Sequence, residues 1–309
     1  MQNHIWHQYE NRGKWYRGNL HMHTTRSDGR LTPEEAVGRY REAGYDFLAL
    51  TDHRKPSQTR EEDGFLLLGG AEWDVGDNLE TPVYHIVGVG MTKPMEDPYR
   101  ESKSPKPQVL VDAVRGAGGL AILAHPAWSV MDPAGIRQLD GLAGAEIYNT
   151  FSGLPRNARR TDSSQYIDLW AAQGIYLPCM AADDSHRYEG EETRSYLWVN
   201  AESLTAEAVL RAIADGNFYA SQGPRFEDIA FDFAAGTVEV RCSSEVRTVV
   251  FYSNAAWSGQ RVQEPQDGVV RYACTPLERY LRIELIDEAG RMAWSSPVAL
   301  DGKGTALSR

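Results

Sequence analysis

Cysteine is scarce in this chain: Cys179, Cys242 and Cys274 stand far apart and form no CxxC pair. A disulfide framework and a thiolate zinc site are therefore both unexpected. Long apolar runs are absent too. No segment approaches the ~18 consecutive apolar residues of a membrane span, and the opening stretch "MQNHIWHQYENRGKWYRGN" lacks the apolar core of a signal peptide. The expectation is a soluble cytoplasmic protein without a membrane partner. Basic charge is also in deficit, with 32 Lys and Arg against 43 Asp and Glu and no long basic run. Polyanion binding rests on clustered Lys and Arg, so the balance argues against a nucleic-acid partner. It leaves room for a small anionic substrate, because bound dications reverse the local sign of a cleft. There is no low-complexity linker and no repeat of fixed period. The sequence leaves oligomeric state open.

What is present is alternation. From residue 19 to about 224, short apolar runs such as "DFLALTDH" (46–53), "FLLLGGAEWD" (65–74), "YHIVGVG" (84–90), "LAILAHP" (120–126), "GAEIYNT" (144–150) and "IYLPCMAADDSH" (175–186) alternate with amphipathic segments. "LTPEEAVGRYREAG" (31–44) reads as a helix, with Thr32 as N-cap, Pro33 at the first position, Glu35 closing a capping box and Gly44 at the stop. Further helices are expected near 107–118, 161–174 and 204–216. This order predicts an α/β domain, largely parallel, over residues 1–224. Beyond it, "TVEVRC" (237–242), "YLRIELID" (280–287) and the turn "DEAG" (287–290) predict a small antiparallel β-sandwich over 225–309.

In βα architectures, functional side chains collect where parallel strands end. His21 and His23 close the first strand, two residues apart and so on one face. His53 follows "FLALTD", His125 follows "LAILA", and His186 follows "LPCMAADDS". Glu72 ends "LLLGGA", and Asp184 lies two before His186. A hairpin of 65–74 with 83–90 around "GDN" (76–78) would set Glu72 roughly opposite His85. Taken singly, a histidine after a strand is more often a packing or loop residue. Six of the eight histidines in one layer, with three carboxylates, point instead to bound ions. Imidazole and carboxylate without thiolate suits catalytic zinc, manganese or iron. The ligands exceed what one ion needs, so two or three divalent ions are expected.

Together "HMH…SDG", "TDH", "GAE", "YHIVGVG", "LAHP" and "DDSH" resemble the PHP (polymerase and histidinol phosphatase) superfamily of metal-dependent phosphoesterases, over about residues 19 to 224. The resemblance implies a distorted, TIM-like β/α barrel with a metal cluster at its mouth. It implies that His21, His23, Glu72 and Asp184 hold a first metal. Glu72 would bridge to a second, held by His85 and His125, and Asp28, His53 and His186 would hold a third. "GNFYASQGP" and "RIELIDEAGRMAWSSPVAL" look like a branch that includes carbaryl-hydrolase-like metallohydrolases. The chain departs from many phosphatase members in having Arg54 and Lys55 after "TDH".

The chemistry so implied is attack on phosphorus by a metal-activated hydroxide, with His53 or His186 protonating the leaving alkoxide and Asp184 required for turnover. Arg54, Arg26 and Arg194 are the candidate phosphate contacts, with Lys55 and Arg156 behind them; Arg159 and Arg160 read as surface charges. Glu146 and Asn149 are candidates to line the pocket or to serve structure. Asp183 is expected to orient a ligand histidine. Trp73, Trp128 and Tyr148 stand near the site in sequence, and Cys179 reads as core. The substrate is expected to be a small phosphorylated molecule of nucleotide or sugar-phosphate type. Two other readings stay open: hydrolysis of a carboxylic or carbamate ester, and a non-catalytic, metal-stabilised binding module.

Overall fold

The computed structural model describes residues 5–301 except 63, 78 and 79, so the outer ends of both expected domains and Asn78 of the expected turn lie outside the described residues. The capping box is formed as the sequence predicts. Thr32 Oγ1 accepts from the Glu35 N–H, the Glu35 carboxylate accepts from the Thr32 N–H, and the helix Pro33–Glu42 ends just before Gly44 at φ +79°. A positive φ at the stop suits glycine, which has no Cβ to clash. The helices Pro107–Gly116, Ser164–Ala171 and Ala206–Ala214 fall inside the three other expected segments.

The molecule is mixed α/β and mostly sheet. Lys14–Asn19, Phe47–Leu50 and Phe65–Val75 run parallel in that order. Phe65–Val75 then pairs antiparallel with Tyr84–Val89, and that strand antiparallel with Leu120–Leu123. Leu142–Asn149 and Cys179–Ala182 continue in parallel. The expectation of a largely parallel sheet is thus corrected: the long hairpin reverses one strand, and a hairpin can only be antiparallel. No continuous ladder closes this run into a ring among the described residues. Its two ends meet through an isolated parallel bridge, Met22 with Ser185, where the His23 N–H donates to the Ser185 carbonyl at 2.9 Å and the Asp184 N–H to the His21 carbonyl at 2.9 Å.

The hairpin register also differs from expectation. Asp74, not Glu72, lies opposite His85, and Glu72 faces Val87. The turn is centred one residue later than its composition suggests, which shifts the pairing by two and leaves Glu72 on the face of the strand it was assigned. Asp77 Oδ1 fixes that turn by accepting from the N–H groups of Glu80 and Thr81.

One core lies between the sheet and the helices, with Leu110, Val111 and Val114 from one helix and Ile167 and Trp170 from another. Each such side chain contributes about 1.5–3 kcal/mol on burial. Cys179 belongs to this core, and burial pushes its thiol up to about 12. A second core lies between two antiparallel layers of C-terminal strands. Phe226–Asp232, Thr237–Cys242 and Val269–Ala273 form one layer, to which the N-terminal Ile5–His7 adds an edge strand. Val246–Tyr252 and Tyr280–Asp287 belong to the other, which continues without a break through Met292–Trp294 into Phe218–Ser221, Tyr196–Ala201 and Lys14–Asn19. No helix among the described residues is long and apolar enough to cross a membrane.

Arg282, fully buried, ties the two regions. Its Nε and Nη2 donate to the two oxygens of Asp168 at 2.9 and 2.8 Å, its Nη1 donates to Glu284 at 2.6 Å, and its guanidinium carbon lies 4.4 Å from the Tyr252 ring centroid. Removing one member of a buried pair leaves an uncompensated charge. Arg282→Ala should lower stability by about 3–5 kcal/mol in urea denaturation. A loss below ~0.5 kcal/mol would show that the pair ties nothing together.

Candidate metal centre

The nine residues expected at the site converge. Glu72, 1 % exposed, is the hub. Its Oε2 stands 3.3, 3.2 and 3.1 Å from His21 Nε2, His23 Nε2 and His53 Nδ1, and its Oε1 stands 2.7 and 3.3 Å from His85 Nδ1 and His125 Nε2. Asp184 is the second hub, with Oδ1 3.2 Å from His21 Nε2, 3.0 Å from His23 Nε2 and 3.6 Å from His186 Nδ1. Asp28 reaches His186 Nε2 at 3.4 Å and His53 Nε2 at 3.8 Å. Four sets of donor atoms lie within 4.8 Å of one another: His23, Asp28, His53 and His186; His21, His23 and Glu72; His21, His125 and Asp184; Glu72, His85 and His125. His23 joins the set around Asp28, and His125 also meets His21 and Asp184, so the grouping is more shared than the family pattern implies.

Local structure explains how they arrive. Asp52 accepts from the Thr24 N–H at 2.7 Å, from Thr24 Oγ1 and from Ser27 Oγ, which folds the loop after His23 back over the strand ends. Gly29 completes that fold, because a Cβ there would stand 2.3 Å from the His23 carbonyl oxygen. Asp184 and His125 both sit at positive φ, 54° and 27°. Non-glycine residues are uncommon there, and such strain gathers at functional sites.

Glu146 and Asn149 stand behind the ligands. His21 Nδ1 hydrogen-bonds Glu146 Oε1 at 2.7 Å, while Glu146 Oε2 accepts from the His125 N–H at 2.9 Å and from Asn149 Nδ2 at 2.8 Å. Asn149 Nδ2 also lies 3.2 Å from Asp184 Oδ2. One buried carboxylate thus fixes an imidazole, a backbone and an amide. His186 Nδ1 is held by the Asp184 carbonyl oxygen at 2.7 Å, and Phe151 stacks on its ring at 4.3 Å and 14°. Asp183 does not orient a histidine as expected. It accepts from Tyr40 Oη, Thr150 Oγ1 and the N–H groups of Arg194 and Ser195, because its side chain points away from the cluster; burial raises its carboxyl to about 7.

Electrostatics shows what the cluster lacks. With Nδ1 given to Glu146, a neutral His21 turns a bare Nε2 lone pair on two carboxylates. Burial resists charging His21, but Asp184, Glu146 and Glu72 outweigh it and raise the imidazole well above its ordinary value. The same contest takes His23 up to about 9 against burial, through Asp184 and Glu72. Burial would push Glu72 and Asp184 up, yet the surrounding imidazoles hold both well below the carboxylate range. Asp184 Oδ1 is buried without a well-formed hydrogen bond. The set requires positive charge at its centre, and nitrogen and oxygen donors of this kind fit divalent transition ions.

The cluster floors a pocket of about 280 Å³. Trp128 stands in its wall with its ring edge-on to His125 and His85, at 4.9 and 5.6 Å. Trp73 is core instead, and Tyr148 stacks on Trp294 at 5.3 Å. None of the three expected phosphate contacts is among the lining residues. Arg54 forks onto Asp74, the residue opposite His85, and covers Tyr99; Arg26 donates to the Pro56 carbonyl; Arg194 is exposed and bonded by its main chain to Asp183. Arg156 pairs with Glu189. The cation that does line the pocket is Arg187, which sequence reading missed although it follows His186 directly. Its loop is shaped by the buried Glu191, whose Oε1 accepts from the N–H groups of Arg187 and Tyr188 at 2.5 and 2.6 Å and whose Oε2 accepts from Glu189 at 3.0 Å. The run "HRYEGEE" held that signal, an acid close behind a histidine.

No protein-family model matches the chain, and no curated protein matches it either. Among solved structures it is similar to a two-domain protein from Bacteroides vulgatus described as containing a predicted PHP-like metal-dependent phosphoesterase, with 14 % identity, a TM-score of 0.51, and 93 % of this chain and 95 % of that one covered. It also matches an amidohydrolase from Chromobacterium violaceum, with 20 % identity, a TM-score of 0.40, and 56 % and 89 % covered. The expected kinship with carbaryl-hydrolase-like enzymes has no counterpart in these two. The first likeness is one of fold, spanning nearly the whole of both chains, and the chemistry rests on the side chains.

Proposed function

We propose that the chain is a multinuclear metal-dependent phosphoesterase acting on a small phosphorylated molecule. The observation that carries this reading is the convergence of six imidazoles on Glu72, Asp184 and Asp28, with Asp184 Oδ1 buried among imidazole nitrogens but without a well-formed hydrogen bond. His21, His23, His53, His85, His125 and His186 with the three carboxylates would hold two or three ions, manganese, iron or zinc by their donor set. When bound, the ions supply Lewis acidity and positive charge to the phosphoryl group and the attacking water.

The protein's own contributions follow from its geometry. Glu146, Asn149 and the Asp184 carbonyl fix ligand orientation before substrate arrives. Arg187, exposed and lining the pocket, is the cation we assign to pairing with phosphoryl oxygens. Of the two imidazoles suited to protonating the leaving alkoxide, His53 is the more open, 31 % exposed against 12 % for His186. Arg187 also favours phosphorus over a neutral carboxylic or carbamate ester, which would draw little from it. An open pocket beside the donors argues for an enzyme over a structural site, since a structural ion needs a closed shell. We read residues 1–224, apart from the strand Ile5–His7 that edges the sandwich, as the catalytic domain and 225–309 as a β-sandwich that supports it.

Hydrolysis of a panel of phosphomonoesters, phosphodiesters, carboxylic esters and carbamates should show metal-dependent phosphate release that is abolished by chelation and by Asp184→Asn. Turnover of esters or carbamates alone would move the assignment to the second chemistry; silence with metal bound would leave only a binding module. Glu146→Gln should weaken metal binding about 10–100-fold in competition with a chelating dye while the circular dichroism spectrum holds; unchanged affinity would remove Glu146 from the centre. Arg187→Ala should raise KM at least about tenfold, whereas Arg54→Ala, whose charge is already paired to Asp74, should leave it nearly unchanged. The reverse ranking would restore Arg54 as the phosphate contact.

A further inference from the structure

A groove of about 800 Å³ opens between the N-terminal segment, Asn200 and the strand Phe226–Asp232. No residue lines both this groove and the metal-centre pocket. Trp15 in its wall stands near the start of Lys14–Asn19, whose other end leads to His21, roughly 20 Å away along extended backbone. Two half-buried indoles face it, each braced by aromatic rings of the second core. Trp6 lies against Phe231 and Phe233 at 5.4 and 6.0 Å, and Trp15 meets Tyr9 and Tyr219 at 5.8 and 5.1 Å. The loop between them is clasped by Asn217, whose Oδ1 accepts from the Glu10 N–H at 2.8 Å and whose Nδ2 donates to the Glu10 carbonyl at 3.0 Å. Side chains held in this way lose little freedom when a ligand arrives.

The polar groups of the groove narrow what fits. Asn200 is 2 % exposed, and its Oδ1 accepts from the Arg12 N–H at 2.8 Å. That bond fixes the amide and makes Nδ2 a donor with no partner among the described residues. A donor so deeply placed needs an acceptor that the chain does not supply. Exposed Glu227 offers carboxylate oxygens, also without a hydrogen-bond partner among the described residues. The other two carboxylates are already engaged, Asp228 by His7 Nδ1 at 2.8 Å and Glu10 by Arg12 at 2.8 Å. A groove built for an organic cation would keep its carboxylates free; here most are spent. The ligand must therefore be neutral, carry apolar C–H faces for the indoles, and present hydroxyls that both accept and donate.

We propose that this groove is a non-catalytic binding site for a neutral glycan, independent of the phosphoesterase reading. The C–H face of a pyranose ring stacks on Trp6 or Trp15, one hydroxyl accepts from Asn200 Nδ2 and another donates to Glu227. The groove lies within the ~300–1,000 Å³ of ordinary ligand sites. Its distance from the metal ligands makes it an anchoring site that leaves the metal-centre pocket clear.

The test is calorimetric titration of the full chain with maltotriose, cellotriose and triacetylchitotriose, and with choline as the cationic control. At least one neutral trisaccharide should bind saturably, with Kd between about 10 μM and 1 mM, and choline should not. Trp6→Ala and Glu227→Ala should each weaken that binding at least about tenfold. Glu227 is exposed, so its loss reads the ligand contact and not the fold. Both variants should keep the circular dichroism spectrum and the metal affinity of the parent, and Asp184→Asn should bind the trisaccharide as the parent does. Three results each overturn the proposal. One is no saturation by any of the three sugars up to about 10 mM. Another is binding of choline in their place, which would make the groove a cation site. The last is sugar affinity that survives Trp6→Ala and Glu227→Ala but falls in Asp184→Asn, which would move the sugar to the metal centre.

Discussion

A buried carboxylate with five imidazoles around it is the constraint on which the rest depends. Glu72 has almost no access to water, and desolvating a carboxylate costs several kcal/mol unless nearby positive charge offsets it. The compensating groups come from the loop after Lys14–Asn19, from the end of Phe47–Leu50, from within Tyr84–Val89 and from the end of Leu120–Leu123. No local segment could supply them. The sheet must therefore place its strand ends in one layer, and the loops must fold inward. Positive φ at Asp184 and His125, and the close packing at Gly29, are consequences of that demand.

This explains what was legible in the sequence. A histidine that must reach a common centre can occupy only a few positions on each strand, so its spacing from the apolar run survives as a pattern. The convergence of the nine residues was readable because all but Asp28, which the loop after His23 carries, stand in or beside the run that positions them. The helix Pro33–Glu42 was readable for a similar reason: its Thr32 and Glu35 cap lies within four residues.

What was not legible depends on groups distant in the chain. Arg54 looked available beside His53, but a partner twenty residues on, Asp74, takes its guanidinium. Asp183 looked like an orienting acid because it adjoins Asp184, yet just past the strand Cys179–Ala182 the backbone turns to positive φ at Asp184, and Tyr40 and Thr150 collect the Asp183 carboxylate. Glu146, on the strand Leu142–Asn149, fills the role assigned to Asp183 through its hydrogen bond to His21 Nδ1. The hairpin of 65–74 with 83–90 was legible, but its register was not, because composition does not fix which residues of a turn-forming stretch lie at the centre.

The C-terminal layers bear on the site from behind. No residue after Arg187 lines the metal-centre pocket, but several hold the elements that do. Ser296 Oγ accepts from the Cys179 N–H at 3.0 Å, at the start of the strand that leads to Asp184. Arg282 grips Asp168 in the helix that follows Ser163, and Ser163 Oγ accepts from the Ala127 N–H at 3.1 Å, between His125 and Trp128. Trp294 lies flat against Tyr148, next to Asn149. Three contacts thus run from the sandwich to three of the segments carrying ligands or their supports. A cluster whose side chains come from so many strands needs those strands held from outside, and these contacts from the C-terminal layers supply that restraint.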